Sequence, residues 1–271
     1  MSEQERRRIA FTVQYDGGPY HGWQLQREHR SVQGELEGVL TKVFAGPARV
    51  LGSGRTDRGV HATGQVAAVD APVRWTAAEL RRAMNALLPQ EVWIARAEEV
   101  DAKFHPRYGA VSRSYAYRIG VLETASSPFH RRWCWPVGKE VDEEKLRGEA
   151  ASVVGEHSFA AFAKAGQEKR GDRCVVTEAE WQRWGDLGIE FSITANRFLH
   201  HMVRYLVGTM VEIGLGRRPE GDTGRLLEAE LGLTTSPPAP PEGLFLTGVR
   251  YPEGTYPTGD GGGGRLKAIQ L

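Results

Sequence analysis

One order of periodicities occurs twice along this chain, and it constrains the fold more than any other feature. In "IAFTVQYDGG", Ile9, Phe11, Val13 and Tyr15 alternate with Ala10, Thr12, Gln14 and Asp16, the two-residue period of a half-buried strand, before a double glycine stops it. "SVQGELEGVLTKVFAGP" changes to the helical period. Ser31 can cap it, Val32, Leu36, Val39, Leu40, Val43 and Phe44 share one face, and Gly46 with Pro47 ends it. A short strand around Val50, the strand "QVAAVDA", a helix "TAAELRRAMNALLP" with a Thr76 and Glu79 capping box, and the strand "VWIARAEEV" complete the first set.

The second set has the same order. It runs from the strand "AVSRSYAYRIG" through the helix "DEEKLRGEAASVVG" to a hairpin of "VVTEAEWQRW" and "GIEFSITAN". The helix "FLHHMVRYLVGTMVEIG", a shorter "DTGRLLEAELG" and the strand "GLFLTGVRY" follow. Two βαββαβ units predict an α+β chain of two ferredoxin-like domains, whose antiparallel sheets flank a central cleft. The expected divisions are residues 1–104, 105–252, and a Gly-rich flexible tail over 253–271.

With 271 residues, the chain is long enough for two such domains. No segment is long and apolar enough for a membrane span, the start lacks a signal-peptide stretch, and only Cys134 and Cys174 occur, so a cytoplasmic protein with free thiols is expected. The net charge is +1, so any surface for a polyanion must come from local clustering of cations. Arginine outnumbers lysine 28 to 7, which suits phosphate and base contacts but equally fits a GC-rich genome.

"GSGRTDRGVHATGQ", residues 52 to 65, places Asp57 between Arg55 and Arg58 in a glycine-rich run. It lacks the Lys-Ser or Lys-Thr end of a phosphate-binding loop, and no helix follows it. The plain alternative for Asp57 is a turn former satisfied by backbone amides. The flanking guanidiniums raise a second reading, in which they hold the carboxylate ionised and also reach phosphates. No second acid accompanies it, which argues against a glycosidase pair. A metal is not expected, because His200 and His201 would be helical neighbours pointing about 100° apart.

"KFHPRYGAVSRSYAYRIG" interleaves Lys103, Arg107, Arg113 and Arg118 with Phe104, His105, Tyr108, Tyr115 and Tyr117, the mixture of cations and flat rings that nucleic-acid surfaces use. Core tyrosines on an ordinary strand would read the same way.

Together these stretches resemble the tRNA pseudouridine synthase A (TruA) family. The resemblance rests on "YDGGPYHGWQLQ", "GRTDRGVHATGQV", "FHPRYGAVSRSYAYRI", "NRFLHHMVRYLVG" and "APPEGLFL", in family order over nearly the whole chain. It implies isomerisation of uridine to pseudouridine at positions 38, 39 and 40 of the tRNA anticodon stem-loop, without cofactor or metal, by a homodimer. It also implies that Asp57 is the nucleophile, that Arg55 displaces the base, and that Tyr115 packs on the flipped uracil. Phe104, His105, Arg107, Tyr108, Arg113, His200, His201 and Arg204 would line the RNA side, and Arg58, at a spot usually small in relatives, would add an RNA contact. The chemistry needs one anion, because an ionised carboxylate can attack ribose C1′, add to uracil C6, or take the C2′ proton. A noncatalytic RNA-binding protein of two RRM-like units is the rival reading, and a metal-dependent phosphoesterase using Asp57, His61, His200 and His201 is a remoter one.

Overall fold

A computed structural model describes residues 5–164 and 171–256. The fold is mixed α/β with a large sheet, and the chain divides into two compact units, residues 5–111 with 246–256 and residues 112–245.

In the first unit β1 (Arg6–Tyr15), α1 (Val32–Phe44), β2 (Leu51–Gly52), β3 (His61–Pro72), α2 (Ala77–Leu87) and β4 (Val92–Val100) follow in chain order. The strands lie in the order β4, β1, β3, β2, each antiparallel to its neighbour. Helix α1 starts where expected, with the Ser31 hydroxyl accepting from the Gly34 amide. It ends one residue before the expected Gly46, because Ala45 takes the left-handed conformation at φ 53° and lets the Gly46 amide reach the Thr41 carbonyl. The Thr76 and Glu79 capping box of α2 is present.

Ile9, Phe11 and Val13 of β1 are fully buried, as are Leu36 and Leu40 of α1, Leu80 and Met84 of α2 and Ile94 of β4. The opposite face of β1 is covered by the returning segment 246–256. Thr12 Oγ1 lies 3.0 Å from the Tyr256 hydroxyl, and Tyr256 packs with Tyr251 and Phe104. Tyr256, expected in the loose tail, is therefore core, because an aromatic ring is needed to close that face. Residues 257–271, the rest of that expected tail, lie outside the described residues.

The second unit contains β5 (Ser112–Gly120), β6 (Trp135–Pro136), α3 (Glu143–Ser152), β7 (Gly155–Ser158), β8 (Arg173–Trp184), β9 (Gly188–Ala195), α4 (Met202–Gly214) and α5 (Asp222–Leu227). The final strand β10 (Leu244–Arg250) begins in this unit and carries the chain back into the first. Strands β5, β9, β8 and β7 are neighbours in that order, with β6 parallel to the end of β5. Asp142 caps α3 through the Glu144 and Lys145 amides. Buried Glu149 on α3 accepts from the Gly221 and Thr223 amides and so caps α5 from a neighbouring helix.

One expected helix is shorter than its apolar pattern. The stretch from Phe198 predicts helix throughout, but α4 begins at Met202, and His201 before it sits at φ 66°. Among the described residues, no helix is long and apolar enough to cross a membrane.

Candidate active site

The Asp57 loop is fixed by the segment that follows β1. The Trp23 amide donates to the Thr56 carbonyl at 3.0 Å and the Gly59 amide to the Tyr20 carbonyl at 3.4 Å, so two backbone bonds bracket Asp57 and Arg58. Between them, Gly22 has φ +91°, and a Cβ there would lie 2.5 Å from the Thr56 carbonyl oxygen. Only glycine permits both that conformation and that approach. The Tyr15 hydroxyl lies 2.8 Å from Thr56 Oγ1, and Ser53 Oγ donates to Gln65 at 2.6 Å while the Gln65 amide holds the Gly54 carbonyl. These bonds assign a structural task to "YDGGPYHGWQ", which holds the backbone on which the acid is mounted.

This geometry gives the loop glycines a task within the protein itself. A side chain at Gly52 would run into the Trp23 indole and one at Gly64 into the Thr247 carbonyl, so the close approach there is by the protein itself. Of glycines 52, 54, 59 and 64, only Gly59 has a positive φ.

Asp57 is half-buried, and Arg55 and Arg58 on either side are exposed. The two guanidiniums are the cations nearest to it in sequence. Both point their charge toward solvent, where a polyanion would meet it.

The basic and aromatic stretch separates by burial. Phe104 is only 4% exposed and is enclosed by Tyr251 and Tyr256, so its expected place on the RNA side is corrected to the core of the first unit. His105 Nδ1 accepts from the Arg107 and Tyr108 amides, which fixes the turn. Burial, then the Arg8 charge, lowers the His105 pKa, so its neutral, accepting form is favoured. Arg107 is exposed, and Tyr108, 69% exposed, offers an open ring.

In the second unit, the Arg113 guanidinium donates to the Asn196 carbonyl at 3.2 Å, and Tyr115 meets Phe198 edge to face at 4.9 Å. Further along β5 the side chains turn inward. The Tyr117 hydroxyl donates to the Pro240 carbonyl at 2.6 Å, and Arg118, 5% exposed, pairs with Glu190 at 2.8 Å beneath Trp184 and Phe245. Arg118 is thus an interior cation, which the residue mixture alone did not distinguish from a phosphate contact.

At the start of α4 the His200 and His201 rings lie 4.1 Å apart, centroid to centroid. The divergence expected of consecutive helical residues does not apply, because residue 201 is left-handed rather than helical. Arg204 Nε donates to the Ala239 carbonyl at 2.7 Å and the Ala239 amide returns a bond to the Arg204 carbonyl. "APPEG" is thereby tied to α4 by Arg204 and to β5 by Tyr117, a staple that no sequence period announced.

Comparison with known proteins decides what this arrangement belongs to. The family model for tRNA pseudouridine synthase matches residues 11–109 and 150–252, which include Asp57, the strand β9 that pairs with Tyr115's strand, and the start of α4. The chain belongs to the tRNA pseudouridine synthase family. It is 40% identical to the tRNA pseudouridine synthase A of Cereibacter sphaeroides, over 90% of this chain and 97% of the relative. It is 36% identical to that of an Exiguobacterium species, over 90% and 98%, and 38% identical to that of Hyphomonas neptunium, over 91% and 99%. Relatives within this synthase family are thus matched end to end, and the Asp57 loop lies inside the first matched segment.

Proposed function

We infer that this chain is an isomerase that converts uridine to pseudouridine in tRNA, and we propose that it acts at positions 38, 39 and 40 of the anticodon stem-loop with Asp57 as the reacting group. The observation that carries the reading is a single half-buried carboxylate on a rigidly held backbone, flanked by two solvent-facing guanidiniums. An RNA-binding module would gain nothing from an acid held at a polyanion surface. The isomerisation needs one.

The reaction breaks the bond from C1′ to N1, rotates the uracil and rejoins it through C5; the C5 proton leaves to solvent and N1 gains one, so the product is an isomer. One carboxylate suffices, whether it attacks C1′, adds to C6 or removes the C2′ proton. The base must leave the stem at a cost of a few kcal/mol, which stacking and phosphate contacts offset. In our reading Arg55 takes the place of the extruded base, Tyr115 packs on the uracil, and Arg58, Arg107, Tyr108, Arg113, His200, His201 and Arg204 serve the RNA. The βαββαβ order and the strand order β4, β1, β3, β2 support a ferredoxin-like first unit. We assign a second such unit to residues 112–245 with β10, a homodimer as the working form, and the cytoplasm as its place.

Tritium release from tRNA labelled at uracil C5 tests the reaction, and mapping pseudouridine in tRNA from a strain lacking the protein tests the positions. Loss confined to the anticodon stem-loop is expected. Unchanged modification there would overturn the assignment.

A further inference from the structure

Arg58 is the member of the Asp57 loop whose purpose the isomerisation itself does not supply. Its neighbours do. The two backbone bonds that bracket Asp57 and Arg58 come from Tyr20 and Trp23, and the residues between these, His21 and Gly22, therefore lie against the Asp57 and Arg58 backbone. A Cβ at Gly22 would lie 3.3 Å from the Arg58 amide nitrogen.

The loop after His21 folds back on itself. The His21 amide donates to the Arg30 carbonyl at 2.9 Å, and the Gln26 side chain donates to the His21 carbonyl at 2.8 Å. This closure stacks the exposed His29 ring on His21, with centroids 4.0 Å apart and planes 22° from parallel. Arg30 is occupied elsewhere, bonded to Glu35 and lying over the Tyr20 ring. The loop tip adds Arg27 and Glu28, of opposite sign. What remains beside the acid is Arg58 with two stacked imidazoles.

Resting on the tRNA substrate inferred above, we propose that His21, His29 and Arg58 grip the tRNA sugar-phosphate backbone next to Asp57. Two stacked imidazoles beside a guanidinium repel one another when all are charged. Partial desolvation, His29 and Arg58 together push the His21 pKa below its ordinary value in the free protein. A phosphate oxygen placed against the three reverses that balance. His21, with His29 stacked on it, then takes one proton from solvent and donates an N–H to phosphate, so RNA binding and proton uptake favour each other reciprocally. Phosphate contacts position a duplex without reading its sequence, which suits an enzyme that acts on several tRNAs at one place.

Equilibrium binding of unmodified tRNA transcript to the full-length protein, at fixed ionic strength and at about pH 6 and about pH 8, tests the grip. Wild type is expected to bind more tightly at the lower pH, by about 2- to 5-fold, the range exposed ion pairs give. His29→Gln and His21→Gln remove that pH dependence, while His29→Lys binds at both values as wild type binds at the lower. Arg58→Ala weakens binding at both and lowers the slope of log affinity against log salt by roughly one. In turnover, His29→Gln raises KM at the lower pH and leaves kcat in place. Retained pH dependence in the double His→Gln variant, or a fall in kcat at constant KM, overturns the proposal, because the histidines would then only brace the Asp57 loop. A wild type that binds tRNA with this pH dependence yet releases no tritium refutes the reaction instead and leaves the grip standing.

Discussion

The Asp57 loop and strand β5 carry similar residue types under opposite rules of exposure. In the loop the backbone is buried and bonded on both sides while the side chains of Arg55 and Arg58 face solvent. In β5 the first half, with Arg113 and Tyr115, is half-buried, and the second half sends Tyr117 and Arg118 into the core. The difference teaches that an arginine's task follows from what satisfies its guanidinium. Arg118 has Glu190 and two aromatic faces, and Arg55 has open water. Substitution in the two places should therefore strike different observables.

The largest effect is expected at Asp57. Asp57→Asn removes the anion but no packing, so turnover should fall at least about 1,000-fold, roughly 4 kcal/mol of barrier, while thermal stability and tRNA affinity stay near wild type. Single-turnover tritium release and a melting curve on one preparation measure both. Turnover within tenfold of wild type would take the chemistry away from Asp57.

Next in size is the buried pair of β5. Glu190→Ala leaves the Arg118 charge interior and uncompensated, at an expected cost of about 3 to 5 kcal/mol in unfolding free energy. Arg55→Ala, its exposed counterpart, should stay within about 0.5 kcal/mol of wild-type stability and lose turnover more than affinity. Denaturant unfolding separates the two. Equal stability losses would erase the distinction drawn here between the loop and the strand.

Much of this was legible in the sequence, and what was not has specific causes. The period of Ile9, Phe11 and Val13, the Ser31 cap and the Thr76 box are local, and they folded as their patterns required. The Asp57 loop was legible as a singular motif. What its glycines face was not legible, because Gly52 meets the Trp23 indole, on a segment about thirty residues away. Phe104 failed for the same reason, since its partners Tyr251 and Tyr256 arrive only when the chain returns at its far end. The start of α4 failed differently: the apolar pattern runs through His200 and His201, and a left-handed residue at 201 leaves no trace in periodicity.

A smaller effect tests the bracing of the loop. Gly22→Ala places a methyl 2.5 Å from the Thr56 carbonyl at a φ that disfavours any side chain, so it should cost about 1 to 3 kcal/mol in stability. The shift it forces at Asp57 should lower kcat by up to about 100-fold, the scale on which an ångström of misplacement acts. Crystallisation is unnecessary, since kcat falling with an unchanged salt slope of binding reports displacement of the acid alone. If turnover survives, the segment before α1 does not set the position of Asp57.

The smallest effect separates exposed aromatics from buried ones. Tyr108 is open to solvent beside Arg107, with the guanidinium 5.8 Å from its ring, while His105 anchors the turn beneath it. Tyr108→Leu keeps an apolar side chain but removes the flat face, so tRNA should bind about 1 kcal/mol more weakly, near fivefold, the low end for loss of one stacked base. Stability and kcat should move little, because the ring is largely exposed and its contacts are with His105 and Arg107 on its own turn. Phe104→Leu, at a buried ring packed on Tyr251, should show the reverse: lower stability by about 1 kcal/mol and unchanged affinity in the folded fraction. An affinity loss for Phe104→Leu equal to that of Tyr108→Leu would mean that the enclosed ring opens to RNA, and the separation by burial would fail at the one place where the two residues share a turn.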